Sequence, residues 1–300
     1  MDKPLYSVIV NWNLAEETAS CIQSLFAAGA QPGQIVVVDN GSQDNSPEKL
    51  SKQFGARIQL LASATNLGFA GGNNWAIQQI LAQGAEWILL INNDTYVAPD
   101  FFQVLEMTVR QQPAYQIIGP LIFYHDEPTR IWSMGDRLIF GTLITRALRR
   151  NQIAPTTLAP FIEVDFLNAC CILVHRSVFE RIGLFDLAFF MYAEDADFCW
   201  RARQAGFKLG CSTQARLWHK VSRSTGPHHP AARYWRINNQ IYFYRRYANV
   251  GQIPLMFLFT LLRSLKLATV DLLAGRLRLA QKTGQAWFNG WFVRSSPKVK

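Results

Sequence analysis

Two near-continuous apolar runs of strand length, Gln34–Asp39 (Q-I-V-V-V-D) and Trp87–Asn92 (W-I-L-L-I-N), set the strongest constraint on what this chain can fold into. A strand with one face in water alternates apolar and polar side chains. A run that is apolar at every position fits a parallel strand covered by helices on both faces. The intervening stretches have helical spacing. Ala15–Ala28 puts Ala19, Ile22, Leu25 and Phe26 on one face, Ser46–Phe54 opens on Ser46-Pro47-Glu48, and Gly71–Gln83 follows. With Tyr6–Val10 and Ile58–Leu61 as further strands, the β-α-β-α-β-α-β rhythm predicts a right-handed, mostly parallel sheet flanked by helices, an α/β Rossmann-like class.

The middle of the chain is less regular. Phe101–Gln111, Ser177–Ile182 and Ala193–Ala205 predict helices. Ile117–Phe123, Leu138–Ile144, Phe166–Val174, Gly206–Cys211 and Ala215–Trp218 predict strands. Three parts are expected: 1–110 and 111–225 as two halves of one domain, and 226–300 as a helical tail.

Charge separates the tail from the body. From Arg245 to Lys300 there are ten Lys/Arg, the last three being Arg294, Lys298 and Lys300, against one acid, Asp271. That difference equals the whole-chain net charge of +9, so residues 1–244 are neutral. A nucleic-acid binder spreads its basic patch over the folded domain. A neutral body with a basic, apolar tail fits a membrane surface instead, and no nucleic-acid partner is expected. In the tail Phe257, Leu258, Leu261, Leu265, Ala268 and Leu272 fall on one helical face, with Arg263 and Lys266 towards the other. The longest strongly apolar run, Ile253–Leu262, is shorter than the ~20 residues a spanning helix needs. Peripheral attachment is therefore expected, on the inner face of the cell membrane. Met1-Asp2-Lys3-Pro4 leads directly into a strand without an apolar leader, which predicts a cytoplasmic protein. The five cysteines, Cys21, Cys170, Cys171, Cys199 and Cys211, form no C-x-x-C pair and predict buried reduced thiols.

Polar residues gather where strands should end. Asp39-Asn40-Gly41-Ser42 closes one strand and Asn92-Asn93-Asp94 another. Turn chemistry accounts for either alone. Two at equivalent places point to a ligand crevice, because open α/β sheets bind ligands beyond the carboxyl ends of their strands. His219 ends another expected strand and pairs with Asp94 as a candidate ligand set for a hard divalent cation, which needs few protein ligands. Glu194-Asp195-Ala196-Asp197 places three carboxylates in four residues behind an aromatic flank, and a partly desolvated member could act as a general base. Asn66 to Asn74 (N-L-G-F-A-G-G-N-N) is a glycine-rich helix entry whose backbone N–H groups could attract phosphate.

Together these stretches resemble the family 2 glycosyltransferases of the GT-A fold, and within them the rhamnosyltransferase-like branch. The matching segments are Ser7–Asn13, Val36–Ser42 with Asp44, Asn66–Asn74, Leu89–Asp94, Ile182–Asp186, Phe190–Arg201 and His219. The resemblance implies an inverting transferase that takes a dTDP- or UDP-sugar, rhamnose first among the candidates, to a polysaccharide or lipid-linked glycan with Mg²⁺ or Mn²⁺ as cofactor. It implies that Asn11, Asp39, Asp44, Asn66, Gly68, Asn74, Asn92 and Asn93 contact the nucleotide sugar. Asp94 and His219 would hold the metal, and Asp195, with Glu194 beside it, would be the catalytic base. The metal-binding Asp-x-Asp slot departs from the pattern here, with Asn92 as its first residue. A catalytically silent nucleotide-sugar-binding scaffold at the membrane is the alternative, and the presence of Asp94, Asp195 and His219 argues against it.

Overall fold

The computed structural model describes residues 4–221 and 228–293. The basic residues Arg294, Lys298 and Lys300, and the expected boundary at 226, lie outside the described residues. The first half follows the expected alternation: β1 (Leu5–Asn11), α1 (Ala15–Ala27), β2 (Ile35–Asn40), α2 (Ser46–Phe54), β3 (Gln59–Ser63), α3 (Gly68–Ala82) and β4 (Trp87–Ile91). Then come β5 (Thr95–Val97), α4 (Phe101–Gln111), β6 (Tyr115–Tyr124), β7 (Ile131–Ser133), β8 (Asp136–Leu138), β9 (Thr145–Ala147), β10 (Phe161–Val164), β11 (Cys171–His175), α5 (Arg176–Ile182), α6 (Glu194–Gln204) and β12 (Lys208–His219). Three helices come last among the described residues: α7 (Pro230–Tyr247), α8 (Ile253–Leu273) and α9 (Leu277–Phe292).

One sheet runs β10-β12-β6-β11-β4-β1-β2-β3, with β5 added to β12 and β7 to β6. The β4-β1-β2-β3 part is parallel, as the apolar runs predict. Beyond β4 the sheet is mixed. β11 lies antiparallel to both β4 and β6, and β6 lies parallel to β12. Strands from 1–110 and 111–225 thus share one sheet. Every residue of β2 and β4 is buried. Their side chains alternate between two cores, Val36, Val38, Ile88 and Leu90 on one face and Ile35, Val37, Leu89 and Ile91 on the other.

Four expected strands are corrected. Of Leu138–Ile144 only Leu138 is strand, and a hairpin tip follows it, because the Thr142 amide donates to the Ile139 carbonyl and Gly141 has φ +72°. Phe166–Val174 is strand only from Cys171, and 166–170 leaves the sheet. Gly206–Cys211 and Ala215–Trp218 are one strand, broken in register between Ser212 and Arg216. All five cysteines are free and buried, and burial pushes the thiols of Cys21, Cys199 and Cys211 up to about 12.

α8 is inside-out for a helix facing water. Its buried residues are Met256, Thr260, Ser264 and Asp271. Leu255, Leu258, Leu262, Leu265 and Leu272 form an exposed stripe. Thr260 Oγ1 accepts from the indoles of Trp287 (3.2 Å) and Trp291 (2.9 Å) on α9. Asp271 pairs with Arg233 at 2.6 Å and Arg276 at 3.0 Å. The expectation that the apolar run is too short to span is also revised. The helix has 21 residues with a mean hydropathy of 1.6 over its most apolar window, 17% of it buried, and is long and apolar enough to cross a bilayer by length and composition. Arg263 and Lys266 break the run in sequence without ending the helix.

Candidate active site

A cavity of about 620 Å³ opens beyond the carboxyl ends of β1, β2 and β4 and takes in both acidic segments. On one wall, β12 runs antiparallel to β5 with His219 opposite Thr95. The Lys220 amide donates to the Asp94 carbonyl at 3.0 Å, fixing the two segments together. His219 Nε2 therefore sits 3.0 Å from Asp94 Oδ1, with both side chains almost wholly buried. The imidazole packs edge-on against Trp132 at 4.6 Å, and its Nδ1 is buried without a hydrogen-bond partner.

Another part of the wall is the start of α6. Tyr192 and Ala193, just before it, both have left-handed backbone, φ +67° and +69°. Such geometry in non-glycine residues costs about 1–3 kcal/mol each and persists only where neighbours enforce it. Here α7 enforces it, since Asn239 Nδ2 donates to the carbonyls of Met191 (2.9 Å) and Tyr192 (3.2 Å). The turn delivers Glu194 and Asp195 to the cavity. Asp195 Oδ1 accepts from the Ala196 amide at 2.8 Å, and Oδ2 from the Ala169 amide at 3.3 Å. Burial raises the Asp195 carboxyl above the usual range despite these donors, and the charge of Asp136 adds to it. Burial, then repulsion from Asp195, pushes Glu194 well above its ordinary value. Glu194 Oε2 is buried without a partner.

The remaining expected residues divide into lining and supporting positions. Asn66, Gly68, Asn92 and Asn93 line the cavity. A Cβ on Gly68, which has φ +75°, would stand 2.5 Å from the Phe190 carbonyl, so only glycine lets these loops meet. The glycine-rich entry does not offer its first amides to a ligand. Leu67 N donates to Asn40 Oδ1, Gly68 N to Asn66 Oδ1 and Phe69 N to the Phe190 carbonyl. Asn11 and Asp39 lie beneath the lining. Asn93 Nδ2 donates to Thr18 Oγ1 (3.0 Å), Thr18 to Asn11 Oδ1 (2.7 Å), and Asn11 Nδ2 to Asp39 Oδ1 (2.7 Å). Asp39 also accepts from Ser42 Oγ and N. Asp44 accepts from the Ser46 amide and hydroxyl at the start of α2. Asn74 is held by two bonds to the Phe185 backbone, which tie α3 to the loop before α6.

Two cations on the cavity wall escape sequence reasoning. Arg150 stacks on Trp132 at 5.2 Å and Arg236 on Tyr192 at 4.8 Å. Neither belongs to a recognisable motif. The only signal for Arg236 was the aromatic and basic composition after 226. Among the described residues no cluster of three His, Cys, Asp or Glu side chains could enclose a metal. The Asp94–His219 pair offers one carboxylate oxygen and one imidazole nitrogen at the cavity wall. That donor set, two groups 3.0 Å apart, suits a divalent ion that keeps water and substrate phosphate in its shell.

Several known proteins are similar to this chain. The Low-salt glycan biosynthesis hexosyltransferase Agl10 of Haloferax volcanii is 29% identical over 210 residues, covering 68% of this chain. The chain spans 62% of that relative's length. The N-acetylglucosaminyl-diphospho-decaprenol L-rhamnosyltransferase of Mycobacterium tuberculosis is 27% identical over 240 residues, 73% of this chain and 76% of that protein. Among solved structures, the mannosyltransferase PcManGT from Pyrobaculum calidifontis, in complex with GDP-Man and Mn²⁺, matches with a TM-score of 0.57 at 13% identity, over 98% of this chain and 88% of that one, a likeness of fold. The sequence model described as Glycosyl transferase family 2 matches residues 7–183, more than half of the 300 residues. The chain therefore belongs to glycosyl transferase family 2 and has the GT-A fold.

Proposed function

We propose that the chain is an inverting glycosyltransferase that moves a sugar from a nucleoside diphosphate to a hydroxyl of a growing cell-surface polysaccharide or lipid-linked glycan. One observation carries the reading: the Asp94–His219 pair and the Asp195 carboxylate line the same cavity. Likeness to the mycobacterial L-rhamnosyltransferase supports rhamnose as the first donor sugar to try, and dTDP is the carrier that the family resemblance implies.

In this reading Asp195 takes the proton of the acceptor hydroxyl. Oδ2, held only by the long Ala169 contact, is the oxygen left to receive it. The raised proton affinity of this carboxyl makes it a better base than an exposed aspartate. The acceptor oxygen bonds to the anomeric carbon as the bond from that carbon to the diphosphate oxygen breaks. The electron pair leaves with the diphosphate, and attack from the opposite face inverts the centre. Asp94 and His219 would hold Mg²⁺ or Mn²⁺. Bound there, the ion would neutralise charge on the departing diphosphate. Arg236 and Arg150 add fixed positive charge at the wall, and Asn66, Gly68, Asn92 and Asn93 shape the donor side. Asn11 and Asp39 position Asn93 through Thr18, while Asp44 and Asn74 brace the adjoining loops.

The inside-out α8 supports attachment to the inner face of the cell membrane, because an exposed leucine stripe is stable against an apolar medium. Packing of its other face on α9 favours a helix that lies on the bilayer.

The test is incubation of the full chain with dTDP-rhamnose and a panel of UDP- and GDP-sugars in Mn²⁺. One donor is expected to raise the melting temperature and to release nucleoside diphosphate. Release of pyrophosphate, or stabilisation by no nucleotide sugar, would overturn the reading.

A further inference from the structure

The β8–β9 hairpin carries a surface that the transferase chemistry does not use. Its tip is a four-residue turn, Ile139-Phe140-Gly141-Thr142, closed by the Thr142 amide on the Ile139 carbonyl at 3.0 Å. Gly141 takes the positive φ that the third position of a type II turn requires. Phe140, at the second position, is fully exposed, and Ile139 is half exposed. An aromatic ring left wholly in water at a turn tip gains nothing from folding.

The strands below the tip are as unusual. The register sets Arg137 directly opposite Arg146, and both are exposed. Like charges facing each other across an antiparallel pair are destabilising. Neither arginine forms an ion pair with a carboxylate among the described residues. The hairpin thus joins an apolar tip to an uncompensated positive face. Anionic lipid headgroups over a hydrocarbon layer complement both at once.

Two contacts place this hairpin in the account. Gln252 Nε2 donates to the Gly141 carbonyl at 2.9 Å, which holds the tip beside the start of α8, where Val250 is 86% exposed and the leucine stripe begins. Leu143 and Thr145, on the hairpin's inner side, line the cavity.

We propose that the β8–β9 hairpin is a second membrane-docking element: Phe140 enters the headgroup region of an anionic bilayer, Arg137 and Arg146 bind lipid phosphates, and the cavity is thereby held against the membrane surface. The inference rests on the membrane attachment proposed for α8 and adds to it the part that aims the cavity.

Flotation of the full chain with vesicles of phosphatidylglycerol and phosphatidylcholine, and with phosphatidylcholine alone, tests it. Phe140→Ser and the pair Arg137→Gln/Arg146→Gln are compared with the parent chain, none of the three lining the cavity. The double arginine change is expected to weaken binding to anionic vesicles about 30-fold, at about five-fold for each cation near an anionic leaflet, and to leave neutral vesicles unaffected. Phe140→Ser should weaken binding to both. Melting temperature and donor hydrolysis in solution should not change. A dye on Phe140→Cys, selective because the native thiols are buried, should shift to the blue on anionic vesicles. Equal flotation of all variants with no dye shift would overturn the inference, and is also the result expected of a hairpin built for an acidic protein partner. Failure of the parent chain itself to float would overturn the α8 reading as well, whereas equal flotation of parent and variants leaves that reading standing.

Discussion

His219 Nε2 and Asp94 Oδ1 stand 3.0 Å apart where β12 meets β5, each almost wholly buried at the cavity wall. Two donors alone hold a divalent ion weakly, and substrate phosphate must complete the shell. Activity should fall to background in EDTA and return with Mg²⁺ or Mn²⁺. His219→Ala should raise the Mn²⁺ concentration needed for half-activity by at least about 10-fold, the scale of losing a group that orders a metal site. Full activity in chelator would remove both residues from the metal role.

Glu194 is buried beside Asp195 with one oxygen unpartnered, and its carboxyl binds its proton more tightly folded than unfolded. The folded state then holds more protons between the two pKa values, so stability falls as pH rises from the unfolded value towards the folded one. Glu194→Gln should therefore raise the melting temperature at pH 7–8 by on the order of 2–4 °C and by less near pH 4. Melting curves across pH decide this. A gain that does not grow with pH would show that burial of the charge is not the cause.

Asn239 holds the left-handed turn that delivers Asp195, through its bonds to Met191 and Tyr192. Asn239→Ala should lower stability by about 1–3 kcal/mol, since two part-buried carbonyls lose their donor. It should also reduce kcat more than it raises the donor KM, because the turn positions the base and not the leaving group. Steady-state kinetics separate the two, and a pure KM effect would contradict the assignment.

The exposed stripe on α8 allows packing and docking to be told apart. Leu258→Gln with Leu262→Gln removes two half-exposed leucines without touching Thr260 or Asp271, which face inward. Vesicle flotation should drop while the melting temperature stays within about 2 °C, as for surface changes away from the core. A large loss of stability would mean that the stripe packs on protein.

Legibility in the sequence followed burial. β2 and β4 were readable because both faces are covered, so every position is apolar. β8, β9 and β10 were not, because short, partly exposed strands carry little pattern, and the apolar residues of 138–144 belong to a turn set by Gly141. Asp94, Asp195 and His219 could be found because their types and positions match their chemistry. Arg150 and Arg236 could not, since an arginine becomes a cavity wall only when distant elements bring it there. The same holds for the amides of Leu67 and Phe69, which donate to the Asn40 side chain and to the Phe190 carbonyl, the latter 121 residues away. The leucine stripe of α8 is visible as periodicity, but only its packing shows that the polar face is the buried one.

The most direct test of the central claim is Asp195→Asn, measured for both donor affinity and single-turnover transfer. Loss of general-base assistance should slow transfer by about 10²–10⁴-fold while the donor Kd changes by no more than about 2-fold, because Asp195 and the metal pair are carried by different elements of the cavity wall. A variant that keeps more than about a tenth of the parent rate, outside the loss that removal of a base produces, or one that loses donor binding instead, would contradict it.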